Sequence, residues 1–390
     1  LALDNLSDAV GETGCGIVAD MNGSARSVSI DYTFLTSLGC TLRVINDRPR
    51  GFAHRIVPEG KSLDPCKAEL ALARSQDERF RLGYVPDCDG DRGNLVVWDG
   101  NGARPLQAQE TYALALLAEL SDLARKAGPG VQLAAVGNDA TSMRSEAVCK
   151  ALGVRFFRAE TGEANVVGLA RSLRNDGWAV RILGEGSNGG VITWPAAVRD
   201  PLNTIAAVLK LMYLKDEGDT AGPWKFWLEK SDQPDLYRDA FELSDILKSL
   251  PPWTSTSVFE DRAALRVSST DHTALKNAYQ QVFVQGWPEL SSLLASRYGQ
   301  LSWRAMATNG IQERTLSGAF GESGTGGLRI VLSDTSGTDK AFLWMRGSGT
   351  EAVFRIMVDL EGDCAELERR MLMLHASWLR TADASCCAAH

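Results

Sequence analysis

Short apolar runs alternate with longer stretches that carry apolar residues every three or four positions through the first half of the chain. The short runs predict strands and the longer stretches predict helices, because side chains repeat every two residues in a strand and about every 3.6 in a helix. The predicted strands up to residue 98 are Cys15–Asp20, Thr41–Asn46, Arg81–Pro86 and Asn94–Trp98, and the predicted helices are 27–38 and 62–76.

The same order of elements begins again near residue 107. Helices are predicted over 107–126, 141–152 and 163–174, and strands over Val131–Val136, Val154–Phe157, Trp178–Leu183 and Val191–Trp194. In each copy a polar loop lies between the third and fourth strands. We therefore predict a duplicated α/β unit with a ligand-binding loop at the same place in each copy, since ligands bind at strand ends in such sheets.

The remainder of the chain changes character after a predicted helix over 200–214. Past Pro251-Pro252, strands are expected near 253–258, 328–333, 341–345 and 352–360, and helices over 271–284 and 363–381. The predicted fold class is α/β: two consecutive α/β/α sandwich domains with mixed sheets, followed by a smaller α+β C-terminal domain. The predicted boundaries are 1–105, 106–215, a linker or helical segment 216–250, and 251–390.

Composition and charge exclude several classes of protein. The chain has 390 residues, of which 44% are apolar, and 41 basic residues stand against 49 acidic ones for a net charge of −8. This composition is typical of a globular protein, and an acidic chain is a poor general binder of nucleic acid. No apolar run approaches the length of a membrane span. Eight cysteines without a CxxC pair indicate reduced thiols and a cytoplasmic location.

An acidic loop between two predicted strands carries the first candidate chemistry. Asp87, Asp89 and Asp91 alternate with other residues and can converge on one cation. Hard oxygen ligands favour Mg²⁺ or Ca²⁺ over zinc. The alternative is a solvated acidic turn, which three neighbouring negative charges disfavour because they repel one another without a cation.

A glycine-rich loop over 184–190 occupies the equivalent place in the second copy. Glu185 and Ser187 offer hydrogen-bonding groups side by side, and the glycines let a polyhydroxylated ligand approach the backbone. Glycine-rich loops of this kind are also common as ordinary turns. The prediction of a ligand-binding loop therefore depends on its placement opposite the acidic loop.

A third loop supplies local positive charge. Arg346, Ser348, Gly349, Thr350 and Arg355 combine guanidinium, hydroxyl and backbone N–H groups, and these are the groups that bind phosphate. The alternative is a plain turn between two strands. The nearby segment Gly321–Gly327 resembles a nucleotide loop but lacks its Gly-Lys-Ser ending, and we expect a flexible surface loop there.

These three loops, in this order, resemble those of the α-D-phosphohexomutases, the family of phosphoglucomutase and phosphomannomutase. The family's Asp-Gly-Asp-x-Asp-Arg, Gly-Glu-x-Ser-Gly-His and Arg-x-Ser-Gly-Thr-Glu motifs correspond to the sequences that begin at Asp87, Gly184 and Arg346. The resemblance runs from about residue 14 to 382. The histidine of the second motif is replaced near Asn188 and Gly189.

The resemblance implies a reaction and a role for each loop. In the family's reaction, a phosphoserine gives its phosphoryl group to a hexose phosphate, and a hexose 1,6-bisphosphate forms as the intermediate. The bisphosphate then returns its other phosphoryl group, so the overall reaction is an isomerisation by intramolecular phosphotransfer. Asp87, Asp89 and Asp91 would hold Mg²⁺, and Arg92 would stabilise charge on the transferring group. Glu185 and Ser187 would hold sugar hydroxyls. The third loop would anchor whichever phosphate is not reacting, through Arg346, Ser348, Gly349, Thr350 and Arg355.

The family's phosphoserine domain has no counterpart in this sequence. Its serine precedes a histidine, and no Ser-His pair occurs in the 390 residues. We expect a mutase whose serine-bearing N-terminal domain is missing from this chain, so that the chain alone has no turnover. Two alternatives stay open. One is a phosphosugar-binding pseudoenzyme, and the other is a phosphatase that uses Asp87 as its nucleophile. The expected partners are a hexose phosphate and that serine-bearing domain, with no nucleic acid and no membrane.

Overall fold

A computed structural model describes residues 2–218, 220–348 and 353–388. The chain forms two compact units, and neither is continuous in sequence. Unit 1 contains the residues up to Val136, Ser145–Phe156 and Ala170–Leu250; unit 2 contains Gly137–Arg144, Phe157–Leu169 and the residues from Pro251 onward. No helix within the described ranges is long and apolar enough to cross a membrane.

The first sheet has the strand order β2-β1-β3-β4-β5, with β1 parallel to β2 and β3 and the later strands antiparallel. Its strands are β1 Cys15–Asp20, β2 Cys40–Ile45, β3 Phe80–Pro86, β4 Gly93–Trp98 and β5 Ala103–Pro105. The helices before β4 are α1 Ala2–Thr13, α2 Asp31–Ser37 and α3 Asp64–Gln76. The predicted helix 27–38 is too long, because a short 3₁₀ turn precedes α2 and Ser24 accepts a hydrogen bond at its start.

The second sheet repeats this plan with the order β7-β6-β8-β9. Its strands are β6 Leu133–Asn138, β7 Arg155–Ala159, β8 Ala179–Glu185 and β9 Gly190–Thr193. The helices are α4 Ala108–Lys126, α5 Met143–Ala151, α6 Glu163–Asn175 and α7 Pro201–Tyr213. In both sheets an antiparallel hairpin follows the parallel strands, β3–β4 in one and β8–β9 in the other. The predicted repetition, with a polar loop inside each hairpin, is confirmed.

Residues 216–250 add two short helices to unit 1. They are α8 Pro223–Lys230 and α9 Leu243–Ser249. Trp224 and Trp227 of α8 are buried in the same apolar core as α4 and α7. Both indole N–H groups donate to the Ser249 hydroxyl, over 3.3 and 3.0 Å. A buried indole N–H without an acceptor is costly, so Ser249 stabilises this packing.

The segment after β2 is tied to β1 through a buried aspartate. Asp20 accepts hydrogen bonds from the Asn46 side chain over 2.9 Å and from the Asn22 backbone over 3.2 Å. The Nε2 atom of His54 lies 3.2 Å from the second carboxylate oxygen of Asp20, and Nδ1 lies 3.0 Å from the Arg55 carbonyl oxygen. Both ring nitrogens therefore face acceptors, an arrangement that suits the protonated ring, in which both donate.

Replacing His54 with glutamine is expected to destabilise the chain more at about pH 6 than at about pH 8.5. Burial opposes the charge, but the hydrogen bonds to Asp20 and to the Arg55 carbonyl raise the pKa of His54. The stabilising contribution is then complete below the unfolded-state pKa of about 6.5 and is lost as pH rises through the folded-state value. Urea unfolding of both proteins at the two pH values measures the difference. An equal loss at both would contradict this assignment.

Unit 2 contains a seven-stranded sheet, with β10-β16-β15-β14-β12-β13 in order and β11 also paired with β16. The strands are β10 Trp253–Ser255, β11 Ala264–Arg266, β12 Leu301–Asn309, β13 Gln312–Thr315, β14 Gly327–Asp334, β15 Asp339–Gly347 and β16 Val353–Glu361. Two long helices, α10 His272–Tyr298 and α11 Ala365–Ala388, cover one face. The predicted α+β character of this part is confirmed.

The predicted end of α10 at residue 284 is wrong. The helix continues to Tyr298 through Gly286 and Pro288, two residues that normally interrupt helices. Leu290 and Leu294 are buried in the core of unit 2, and Gly286 packs closely against the Trp378 ring. This packing outweighs the lost backbone hydrogen bond at Pro288. Strands β12 and β13, which follow the helix, have no counterpart among the sequence predictions.

The glycine-rich segment Gly321–Gly327 is not the predicted flexible surface loop. Gly321 and Ser323 are buried, and the segment begins in a short 3₁₀ turn. The fully buried Lys276 donates from Nζ to the carbonyl oxygens of Gly324 and Gly326, over 2.7 and 2.6 Å. Burial lowers the pKa of Lys276 to about 8. The glycines allow the backbone to close around this ammonium group.

Candidate functional site

The β3–β4 hairpin brings three carboxylates together at its tip. The ligand atoms of Asp87, Asp89 and Asp91 all lie within 4.8 Å of one another. Asp87 is buried, Asp91 is half-buried and Asp89 is exposed, so the group opens to solvent on one side. Gly90 adopts a φ of 80°, a left-handed conformation that glycine adopts without strain and that lets the loop turn between the carboxylates.

Asp87 is held by its own loop. Its Oδ1 accepts from the backbone N–H groups of Gly90 and Arg92, both over 3.1 Å, and its Oδ2 accepts from Arg92 Nε over 2.7 Å. Burial raises the pKa of Asp87, and the Arg92 guanidinium opposes that shift. Two carboxylate oxygens offer about four acceptor positions, so one remains for a ligand. Arg92 therefore orients Asp87, and its predicted role on the transferring phosphoryl group stays a prediction.

The donor set fits a hard divalent cation. The Oδ1 atom of Asp91 is buried, and no hydrogen bond reaches it from the described part of the chain. Arg92 Nε lies 3.6 Å from this oxygen. An unsatisfied carboxylate oxygen beside two further carboxylates is unfavourable unless a cation lies between them. Three carboxylates leave about three positions of an octahedral Mg²⁺ for water or a phosphate oxygen.

The β8–β9 hairpin places its loop against the acidic loop. Glu185 and Ser187 are both buried. Gly189 has a φ of 76°, and a Cβ atom on it would lie 2.9 Å from the carbonyl oxygen of Gly93. Only glycine fits this approach without displacing the backbone of β4. The two hairpin loops of unit 1 are therefore neighbours in space, although about one hundred residues separate them in sequence.

Arg199 joins the two loops. Its guanidinium donates to Glu185 Oε2 over 3.0 Å through one terminal nitrogen and to Asp91 Oδ2 through the other. Arg199 thus connects the predicted metal loop with the predicted sugar loop. Sequence reasoning missed this residue. A signal was available, because Arg199 comes directly before the Asp200-Pro201 start of α7, and helix starts lie at strand ends in such folds.

Arg26 is a second arginine that sequence reasoning missed. It pairs with the buried Asp31 over 2.8 Å and with Asp200 over 3.1 Å. A Cβ atom on Gly90 would lie 2.7 Å from the Arg26 side chain, so this arginine packs directly against the acidic loop. Arg26 therefore supports the acidic loop from outside it, whereas Arg92 belongs to that loop.

In unit 2, the ends of β15 and β16 place two arginines opposite each other. Arg346 and Arg355 are direct partners in the antiparallel register. Like charges at such positions repel, because Cβ atoms of directly opposite residues are only about 5 Å apart. An anion between them would remove the repulsion. The Ser348 backbone N–H donates to the Val353 carbonyl, over 2.8 Å, and so closes the loop. Gly349 and Thr350 lie outside the described residues.

Glu160 holds one of these arginines in place. Its Oε1 accepts from Arg346 Nε over 3.0 Å and lies 2.9 Å from a terminal guanidinium nitrogen. Its Oε2 accepts from the Gly310 backbone N–H over 2.8 Å. Arg355 donates to the Val258 carbonyl over 2.7 Å. Among the described residues, one acceptor thus orients each arginine, and a guanidinium carries five N–H donors in all.

The sequence of residues 110–222 matches the phosphoglucomutase/phosphomannomutase family, alpha/beta/alpha domain III. This segment contains the second hairpin loop, with Glu185, Ser187 and Arg199.

Solved structures extend the likeness to the fold of the whole chain. Parafusin, a phosphoglucomutase from Paramecium in its open form, is 13% identical, with a TM-score of 0.59 over 98% of this chain and 60% of its own. A phosphoglucomutase/phosphomannomutase family protein from Burkholderia thailandensis is 17% identical, with a TM-score of 0.56 over 98% of this chain and 64% of its own. The predicted fold class, α/β with mixed sheets and an α+β C-terminal part, is confirmed. The family match over 110–222 supports the resemblance drawn from the second loop.

The chain spans about three fifths of the length of these phosphohexomutase-fold structures. No curated protein matches the sequence significantly. Structural likeness at identities this low establishes the fold alone, whereas activity depends on particular residues of the site. The predicted roles of Asp87, Asp89, Asp91, Glu185 and Ser187 therefore rest on the geometry of unit 1, and those of Arg346, Ser348 and Arg355 on the geometry of unit 2.

Proposed function

We propose that this chain is the metal-, sugar- and phosphate-binding part of a phosphohexomutase. The reaction is the interconversion of a hexose 1-phosphate and a hexose 6-phosphate through a hexose 1,6-bisphosphate. The observation that carries the proposal is Arg199, whose guanidinium bridges Asp91 of the acidic loop and Glu185 of the glycine-rich loop. A solvated acidic turn and an ordinary glycine turn have no reason to share one half-buried arginine.

In this proposal, Asp87, Asp89 and Asp91 hold Mg²⁺. The ion, when bound, neutralises charge on the transferring phosphoryl group. Glu185 is buried and accepts from Arg199 and from the Asn188 side chain, so its carboxylate is fixed in direction. A fixed carboxylate and the Ser187 hydroxyl suit the hydroxyl groups of a sugar, which both donate and accept hydrogen bonds.

Arg346 and Arg355 form the proposed anchor for the phosphate that is not reacting. Their register pairing gives two guanidinium groups that can face one dianion. A fixed anion anchor holds either end of the sugar and presents the other end for transfer, which lowers the entropic cost of the reaction. Gly349 and Thr350 complete the proposed loop by their positions in the sequence motif.

The proposed source of the phosphoryl group is a serine-bearing domain outside the 390 residues. The supporting observation is that no Ser-His pair occurs in the sequence, whereas the family motif requires one. We propose that the chain binds hexose phosphates but does not interconvert them without that domain. The pseudoenzyme alternative makes the same two predictions and differs only in having no such partner.

The phosphatase alternative requires Asp87 as a nucleophile. Asp87 accepts three hydrogen bonds from Gly90 and Arg92 and is buried. A nucleophilic carboxylate needs an accessible oxygen aimed at the phosphorus atom. The observed contacts favour a structural and metal-binding role for Asp87 over a nucleophilic one.

The test measures binding and turnover separately with the purified chain. Isothermal titration with glucose 6-phosphate in the presence of Mg²⁺ is expected to detect binding. A coupled assay from glucose 1-phosphate, with glucose 1,6-bisphosphate added, is expected to detect no product. Product formation would overturn the inactivity proposal, and absence of any binding would overturn the proposed function. Restored turnover on addition of a phosphorylated serine-bearing domain would favour the mutase over the pseudoenzyme.

Replacing Arg346 with glutamine is expected to weaken the binding of glucose 6-phosphate by roughly 10- to 100-fold, because a hydrogen bond to a charged group contributes about 1.5–3 kcal/mol. The same titration measures the change. Arg380 is an exposed arginine on α11, and its replacement with glutamine serves as the matched control. Equal affinities for both variants would contradict the assignment of Arg346 to the phosphate anchor.

A further inference from the structure

The first residues of β1 and β2 place two thiols side by side. Cys15 and Cys40 are direct partners in the parallel register, and both are buried. Neighbouring strands lie about 4.8 Å apart, within the Cα separation of about 4.4–6.8 Å that a disulfide requires. The register therefore gives the pair the Cα separation that a disulfide needs.

The two sulfurs have different surroundings. The hydrogen bond from Cys40 lowers the pKa of Cys15 against the effect of burial, and the Tyr213 hydroxyl and the positive charge of Arg81 act in the same direction. The pKa of Cys40 is raised by the same shared hydrogen bond and by burial. Because the thiolate is the reactive form, Cys15 is the sulfur that attacks and Cys40 the one that resolves.

A cavity of about 590 Å³ in unit 1 reaches residues that neighbour Cys15. Its lining includes Thr13, Arg81 and Tyr213, and the last two are the groups that act on Cys15. The Tyr213 hydroxyl also donates to the Gly14 carbonyl over 3.1 Å, which places it next to the start of β1. A small neutral oxidant that enters a cavity of this size meets Arg81 and Tyr213, the two groups that act on Cys15.

We propose that Cys15 and Cys40 form a peroxide-sensitive dithiol that closes to an intramolecular disulfide. The Cys15 thiolate attacks one oxygen of hydrogen peroxide, the O–O bond breaks, and the leaving hydroxide takes up a proton to become water. Cys15 is then a sulfenic acid. The Cys40 sulfur loses its proton and attacks Cys15, the S–S bond forms, and the S–O bond breaks with release of a second water. Two thiols are oxidised and one peroxide is reduced to two waters.

This inference is independent of the proposed phosphohexomutase function. It concerns the starts of β1 and β2, whereas the acidic loop follows β3 and the glycine-rich loop follows β8. Activity of any kind is therefore not needed to test it.

The experiment follows each thiol of the full reduced chain after addition of hydrogen peroxide. Free thiols are alkylated at timed intervals, the chain is unfolded and reduced, and newly released thiols receive a heavier label for peptide mapping by mass spectrometry. Cys15 and Cys40 are expected to be lost together and several-fold faster than Cys66, since the thiolate is the reactive form and burial raises the pKa of the Cys66 thiol. A non-reducing digest is expected to yield one peptide that joins both residues.

Two internal controls are present in the same chain. Cys66 and Cys149 are equally buried but lie on the helices α3 and α5, away from any in-register cysteine. The variant Cys40→Ser is expected to stop at a sulfenic acid on Cys15 that dimedone traps, and Cys15→Ser is expected to leave Cys40 reduced. Oxidation of Cys15 no faster than that of Cys66, or a disulfide from Cys15 to another cysteine, would overturn the proposal. Peptide mapping of the unaltered chain decides the matter if either variant fails to fold.

Discussion

Replacing Asp89 with asparagine is expected to remove most of the stabilisation that Mg²⁺ gives to the chain. Asp89 is the exposed member of the carboxylate cluster, so the isosteric change removes a charge and leaves the buried contacts of Asp87 intact. Loss of one of three carboxylates is expected to weaken Mg²⁺ binding on the order of 100-fold, since even groups that only support a ligand contribute 10- to 100-fold. At Mg²⁺ about 100 times the original Kd, the stabilisation then falls from about 2.7 to about 0.4 kcal/mol.

Thermal unfolding of both proteins over a series of Mg²⁺ concentrations measures this loss. Asp47 is an exposed aspartate in the same unit, just after β2, and its change to asparagine is the matched control. The control variant is expected to retain the full Mg²⁺ response. If Asp89→Asn also responds in full, the cluster is a solvated turn and the metal assignment is wrong.

Replacing Asp359 with alanine is expected to destabilise the chain by about 3 kcal/mol or more, because several buried donors lose their acceptor at once. Asp359 on β16 is fully buried. It accepts from the Ser142 hydroxyl and the Met143 backbone N–H, both over 2.8 Å, and from the Ser255 hydroxyl. Burial raises the pKa of Asp359, and these hydrogen bonds oppose that shift.

Chemical unfolding with circular dichroism checks this value. Asp363 is exposed and lies four residues further along the chain, so Asp363→Asn is expected to change stability by no more than about 0.5 kcal/mol. The intermediate variant Asp359→Asn keeps one acceptor oxygen but presents an amide N–H₂ to donors, and a loss between those of the other two variants is expected. Equal stability of Asp359→Ala and the unaltered chain would show that the buried donors find other acceptors.

The sequence was informative where local pattern decides structure. The hairpin loops at Asp87 and Glu185 were located correctly because strand periodicity fixes where each strand ends, and polar loops follow at those ends. The pairing of Arg346 with Arg355 is also local, since only a short loop separates the two strands. Arg199 was missed because its partners Asp91 and Glu185 are distant in sequence, and only the folded sheet brings them together.

The end of α10 could not be predicted for a different reason. Gly286 and Pro288 carry a strong local signal against a helix. The structure overrides that signal through burial of Leu290 and Leu294 and through the Trp378 ring against Gly286. Long-range packing of this kind is invisible to a local pattern. The same limit applies to Gly321–Gly327, whose conformation depends on the buried ammonium group of Lys276.

The discontinuity of unit 2 limits how this protein can be divided or recombined. A polypeptide that starts at Pro251 contains the whole seven-stranded sheet but lacks 137–144 and 157–169. It would leave Asp359 without Ser142 and Met143, and Arg346 without Glu160. A gene fusion or exchange made at residue 250 would therefore separate buried partners, although the cut falls between secondary-structure elements. Modular transfer of this part of the protein requires that the two inserted segments travel with it.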